Sequence, residues 1–182
     1  MRVLISILSI GLILAGCNPN KDKIEQVNKL RTSLDATEEV FNQLDSATAA
    51  NTLNSIDEKL NEIQTLHTDT MTKETAFIVG EFANLRKALK VYLMMYPKNK
   101  KEFPYSRAQY DNLEQDLRNN VLSKDTFLVF YKEEQDAWLK LNDKVSSTTE
   151  GALHVIGLYE KQVPSIDSLI QQLKDTTVVM NK

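Results

Sequence analysis

Residues 124–161, KDTFLVFYKEEQDAWLKLNDKVSSTTEGALHVIGLYEK, decide the fold. Phe127, Phe130, Tyr131, Trp138, Leu141, Val145, Ala152, Val155, Ile156 and Tyr159 recur at near-heptad spacing, the pattern of a long helix with one apolar stripe. The period survives the weaker stretch Ser146 to Gly151. Ser123 is placed to cap the helix start, and Asp125 sits where the positive end of the helix dipole favours a carboxylate. On such a helix Trp138, with Tyr131 and Phe130, reads as core and not as pocket lining. Toward the C-terminus, Pro164 predicts a kink, with Ser165 recapping a last helix through Ile166, Ile170 and Leu173. Residues 177–182 read as a tail.

Upstream, the same period returns in two sets. Val27, Leu30, Leu34, Phe41 and Leu44 form one apolar face, and Leu53, Ile56, Leu60, Ile63 and His67 form another, out of phase with the first. No Gly or Pro lies between Asp45 and Thr52, so the reading is one continuous helix with a kink or phase slip. The competing reading is a tight turn, with Asp45 or Ser46 capping a new helix. Thr70 to Lys73 marks a break, with Thr72 and Thr75 as a weak cap pattern. Glu74 to Tyr96 is the most apolar helix, through Phe77, Ile78, Phe82, Leu85, Leu89, Tyr92 and Leu93. Pro97 is expected to end it, because proline lacks an amide donor and disfavours helical geometry in the residue before it. Pro97 to Pro104 then reads as a loop, and a shorter helix follows from Tyr105 to Asn119 with Tyr110, Leu113 and Leu117 on one side.

The expected fold is therefore all-α: an elongated antiparallel helical bundle, coiled-coil-like, with long first and last helices and no sheet. At 1.5 Å per residue the first and last regions would each reach roughly 70 Å. Four legs are expected, with a four-helix section at one end and a two-helix stem at the other. A first region broken at Asp45 would instead give a compact bundle. Five glycines and four prolines in 182 residues fit a few long helices better than many short strands.

The N-terminus carries a separate signal. Arg2 gives a short positive segment, and Val3 to Leu14 are apolar except for Ser6, Ser9 and Gly11. Spanning a bilayer needs about 20 apolar residues, so this stretch is too short for a membrane helix. Small residues before a cut site let an extended backbone enter a peptidase cleft, and Leu14-Ala15-Gly16-Cys17 has that character. These four residues resemble the lipobox of bacterial lipoprotein precursors. The resemblance implies diacylglycerol on the Cys17 thiol, cleavage between Gly16 and Cys17, and acylation of the new amino group. Acyl methylenes contribute about 0.8 kcal/mol each on burial, and stable anchoring takes two or more chains. The organisation expected is a signal peptide over 1–16, a lipidated cysteine and linker over 17–23, and a helical domain over 24–176. Asn18 is not the aspartate that retains many such proteins at the inner membrane, so the resemblance implies a cell-envelope location, the outer membrane ahead of the inner. The mature part is similar in style to the uncharacterised helical lipoproteins of Gram-negative bacteria, a likeness of architecture that transfers no activity.

With 22 basic and 25 acidic residues the net charge is −3, a poor match to nucleic acid, where phosphate neutralisation dominates affinity. The one cysteine, once acylated, leaves no intrachain disulfide. Neither a Gly-rich phosphate loop nor a Gly-x-Ser-x-Gly elbow is present. Glu150 and His154 share a helical face but read as solvated or locally paired, and His67 reads as a packing residue. The adjacent pairs Glu38/Glu39, Asp57/Glu58 and Glu133/Glu134 point about 100 degrees apart on a helix and do not converge. No catalytic residue, metal or cofactor is expected. The segment of most interest is Tyr96, Lys98, Lys100, Lys101, Phe103 and Tyr105, where aromatics and cations interleave as a candidate interaction surface for a protein or glycan. A helix connector with wet lysines is the plainer reading. The expectation is a non-enzymatic, lipid-anchored binding domain. The alternatives are a carrier with a cavity in the bundle and, last, a metal-dependent enzyme.

Overall fold

The computed structural model describes residues 19–66 and 71–180. Gly16, Cys17 and His67 lie outside them. Five helices follow in order: α1 (Lys21–Phe41), α2 (Ser46–Leu66), α3 (Lys73–Asn84), α4 (Arg86–Arg118) and α5 (Lys124–Met180). The fold is all-α, with no strand among the described residues.

The helices make three legs, not four. The first leg is α1 continued by α2, the second is α3 continued by α4, and the third is α5 alone. Cross-links fix the directions. Arg31 reaches Asp111 and Glu114, Arg107 reaches Asp35 and Glu38, and Arg86 reaches Asp57, so the second leg runs antiparallel to the first. Thr37 meets Asn142, Ser55 meets Tyr159, and Lys174 meets Glu62, so the third leg runs parallel to the first. At 1.5 Å per residue the 57 residues of α5 span about 85 Å. The α4–α5 turn and Asn20 share one end of this rod; the far ends of α2 and α5 share the other.

The expected loop at Pro97–Pro104 is helix, and this correction removes the fourth leg. Both prolines lie inside α4. The inward positions Leu89, Tyr92, Tyr96, Asn99, Phe103, Ser106, Tyr110, Leu113 and Leu117 alternate steps of three and four straight through them. Pro97 and Pro104 are seven residues apart, on the exposed side. There a proline frees one carbonyl to water and bends the helix toward the core. The cost is about 3 kcal/mol per proline. Against it, each buried aromatic contributes about 1.5–3 kcal/mol, and Tyr92, Tyr96, Phe103 and Tyr110 all pack inward. Phe41 stacks on Tyr96 at 4.7 Å and tilts against Phe103 at 5.3 Å. Packing wins. Pro164 gives the same result: α5 runs through it without a new cap at Ser165, and Ile166 and Ile170 stay buried beyond it. The helix likewise continues past 176 into the expected tail, to Met180.

The first leg breaks where its phase slips, so the continuous-helix reading is corrected. Phe41 ends α1, and Asp45 caps α2: its carboxylate accepts from the Thr48 amide at 2.9 Å and the Thr48 hydroxyl at 2.7 Å. The break does not give a compact bundle, because α2 continues in the direction of α1. The buried positions step by five residues from Leu44 to Ala49, where three or four would keep the register. In α5 the inward positions Leu141, Val145 and Thr149 take two fours in a row, a local stutter. Sequence offsets of 105 for Thr37–Asn142 and 104 for Ser55–Tyr159 put Thr149 beside Leu44. Both irregularities therefore fall at one level, a waist dividing the core in two. Tyr96 packs against both halves.

The caps read from the sequence form. The Ser123 hydroxyl accepts from the Thr126 amide at 3.1 Å, and the Thr72 hydroxyl from the Thr75 amide at 3.1 Å. At the end of α4, Asn120 adopts a left-handed conformation with φ 55°. The Val121 amide then returns to the Asp116 carbonyl at 3.1 Å and the Asn120 amide to Leu117 at 3.2 Å. This pairing closes a helix end with a left-handed residue, a place asparagine tolerates well.

Candidate interaction surface

The six residues read as one surface are divided by the helix that carries them. Tyr96 is half-buried and Phe103 buried, so these two belong to the core. Lys98, Lys100, Lys101 and Tyr105 face out. Lys100 lies over the Tyr96 ring at 5.9 Å from its centroid, a cation–π contact that holds this ammonium close to α4. The alternation that suggested a recognition loop is the in–out alternation of a heptad helix.

Two open grooves between α4 and α5 use the outward residues. One, of about 360 Å³, is walled by Tyr105, Gln109, Asn112, Asp116, Phe130, Glu133 and Glu134, with Leu113 beneath. Phe130, expected in the core, stands 43% exposed at this wall, because Phe127 and Tyr131 take the inward positions beside it. Burial, with the neighbouring Glu133 charge, raises the Glu134 carboxyl above the usual carboxylate range. The other groove, of about 300 Å³, is walled by Met95, Lys98, Asn99, Glu102, Ala137, Lys140, Leu141 and Lys144. Sequence reading missed Asn99, Lys140 and Lys144. The signal was there in the lysines of α5, but only the pairing of α4 with α5 sets them opposite Lys98.

Several of the other charges hold legs together. Arg107 reaches Asp35 at 2.5 Å and Glu38 at 2.6 Å. Glu114 accepts from Arg118 at 2.6 Å and Arg31 at 3.0 Å, and these two guanidiniums hold its carboxyl below the usual range. The Trp138 indole donates to the Thr37 hydroxyl at 3.1 Å, and that hydroxyl donates to the Ser33 carbonyl or to Asn142, both at 3.0 Å. Trp138 is thus a register marker in the core. Glu150 and His154 are both exposed. Among the described residues no three His, Cys, Asp or Glu side chains gather closely enough to hold a metal, and no helix is long and apolar enough to cross a membrane.

Comparison of the chain with protein-family models, with characterised proteins and with solved structures returns no match.

Proposed function

We propose that the chain is a lipid-anchored envelope protein that holds a rigid three-helix rod out toward a protein or glycan partner, without catalysing a reaction. The observation that carries this reading is the packing of Asn20. Its side chain is buried and donates to the Leu117 carbonyl at 2.8 Å and to Asn120 at 3.0 Å, at the base of the rod. Lys23 completes the clasp, donating to Asn20 at 2.9 Å and lying over the Phe127 ring at 5.5 Å. A lipid on Cys17 would be three residues away, a reach of roughly 10 Å. The rod would then stand with the α4–α5 turn near the bilayer and the α2–α3 end outward. Lys98 lies 20 positions before the end of α4, so the basic surface would sit about 30 Å above that base. At that height a partner or a glycan is within reach, and the headgroups of the anchoring leaflet are not. Asn18 in place of aspartate supports the outer membrane as the anchoring membrane.

Metabolic labelling of the full chain with an alkyne-tagged palmitate in a Gram-negative host tests the anchor. The wild type should carry the label and stay with the membranes, and Cys17→Ser should lose both. Label retained by Cys17→Ser would sink the reading. Photo-crosslinkers placed at Lys101 and Tyr105 test the partner, and the absence of any adduct in intact cells would count against it.

A further inference from the structure

The first half of α4 is the basic part of an acidic chain. From Arg86 to Lys101 it carries six basic residues and no acidic one. Elsewhere along the rod Arg31, Arg107, Lys59 and Lys174 are paired with carboxylates of neighbouring legs. Lys98, Lys140 and Lys144 are not. None has an ion pair among the described residues, though all three border the same groove between α4 and α5. Lys140 and Lys144 are one helical turn apart on α5, and Lys98 faces them from α4.

The floor of that groove holds a second, independent feature. Asn99 is 3% exposed, lines the groove, and makes no side-chain hydrogen bond among the described residues. Its amide is not among the fully buried, unpartnered side-chain groups, which are the Tyr110 and Thr149 hydroxyls, so it opens onto the groove. Its inward heptad position is otherwise suited to Leu or Ala. The unused amide has two N–H donors to offer. Three ammoniums, one carboxylate (Glu102) and an amide donor make a concave site of net charge +2, with room for a phosphate-bearing ligand.

We propose that this groove binds a ligand bearing a phosphate group with two or more negative charges, a phosphate monoester or a diphosphate. Phosphate oxygens accept from Lys98, Lys140 and Lys144 around the rim and from the Asn99 amide beneath. Charge-assisted bonds of this kind are about twice as strong as neutral ones. A carboxylate ligand offers fewer oxygens and less charge to the same four donors. Glu102, on the rim, opposes the anion and keeps the affinity moderate. The ligand can be a free phosphate compound or the headgroup of a phospholipid molecule outside the anchoring leaflet, since the chemistry is shared. The proposal does not depend on the lipid anchor.

The test is isothermal titration of the purified full chain, in a nonionic detergent, with inorganic pyrophosphate and separately with short-chain phosphatidic acid. Saturable binding is expected. Lys140→Gln with Lys144→Gln should weaken it by about tenfold or more, the loss of two charge-assisted contacts. Lys100→Gln with Lys101→Gln removes the same charge outside the groove and should change it less than about twofold. Glu102→Gln should tighten binding, and Asn99→Leu should weaken it with the melting temperature held or raised. Tighter binding of phosphatidic acid than of pyrophosphate marks a lipid source, and the reverse order marks a free phosphate compound. Absence of saturable binding to either probe overturns the proposal. So does an equal loss in the two lysine pairs, which would mean unspecific charge attraction.

Discussion

The two halves of the rod are built from the same three legs but are locked differently. In the half that holds the α4–α5 turn, the charged seam runs between the first leg and the second: Arg31 on Asp111 and Glu114, Arg107 on Asp35 and Glu38. Beyond the waist the seam moves largely to the third leg: Lys59 on Asp167, Lys174 on Glu62, and Ser55 on Tyr159 at 2.6 Å. Arg86 on Asp57 alone keeps the older pairing. The switch occurs where the first leg changes phase between Leu44 and Ala49. A leg that rotates about its axis presents its polar flanks to the other neighbour, so one slip moves both the apolar stripe and the ion pairs beside it. The halves also differ in how tightly they close. Six residues of α1 are buried, against Phe82 alone in α3, where Phe77 is 68% exposed. Polar and ionic contacts set register here; packing sets stability.

That contrast can be broken most forcefully beside the waist, in the core of the half that holds the α4–α5 turn. Phe103→Ala should cost about 3–5 kcal/mol, because Phe103 is 1% exposed and packs on Phe41. Chemical denaturation should register the loss as a single transition if the waist couples the halves. A second transition would mean that they melt separately.

Alkaline pH should act on both halves together. Burial pushes the Tyr92 hydroxyl up to about 12, with Tyr96 and Asp45 adding to it, and pushes Tyr110 up to about 12, with Glu134 and Tyr131 adding. The native state holds both protons after the unfolded chain has lost them. This stability is therefore complete below pH 10 and is lost as pH rises from about 10 toward 12. Ultraviolet titration should show two of the six tyrosines ionising only with unfolding.

The same two tyrosines separate the halves when truncated. The Tyr92 hydroxyl donates to the Leu44 carbonyl at the break in the first leg, whereas the Tyr110 hydroxyl is buried with no partner among the described residues. Tyr92→Phe should destabilise by about 1–3 kcal/mol, since it strands that carbonyl. Tyr110→Phe should be neutral or stabilising, since it removes a polar group that gains nothing. Equal losses in thermal melts would contradict this assignment.

The smallest effect is expected at the loosest element. Thr72→Ala removes the cap of α3 and should cost about 1 kcal/mol. Hydrogen exchange should speed up in α3 and leave α1 unchanged. A uniform increase along the rod would show that α3 is not a separate unit.

What was legible in the sequence was whatever depends on local spacing. The heptad positions of α5 from Phe127 to Tyr159 apart from Phe130, the caps at Ser123 and Thr72, and the phase slip near Asp45 all follow from side chains close in the chain. The prolines misled for an instructive reason. A proline's local cost is fixed, but its consequence depends on which way it faces and how much packing lies on either side. The intact heptad from Leu89 to Leu117 held that information, and it outweighs the local rule once aromatic burial is counted. By spacing alone Asp45 reads as a cap or as a mid-helix residue, and the absence of Gly or Pro favours continuity; the carboxylate's bonds to Thr48 decide for the turn.

By itself the sequence determined that the chain is helical, that its helices are long and that they pack along apolar stripes, because these features are set by the 3.6-residue period. It also carries the lipobox resemblance at Leu14 to Cys17, which lies outside the described residues. Only the tertiary structure decided that there are three legs, that the charged seam changes neighbour at the waist, and that Lys98 and Asn99 meet Lys140 and Lys144. Those juxtapositions join residues from 29 to 112 positions apart, and no local period encodes which face of one helix another will cover.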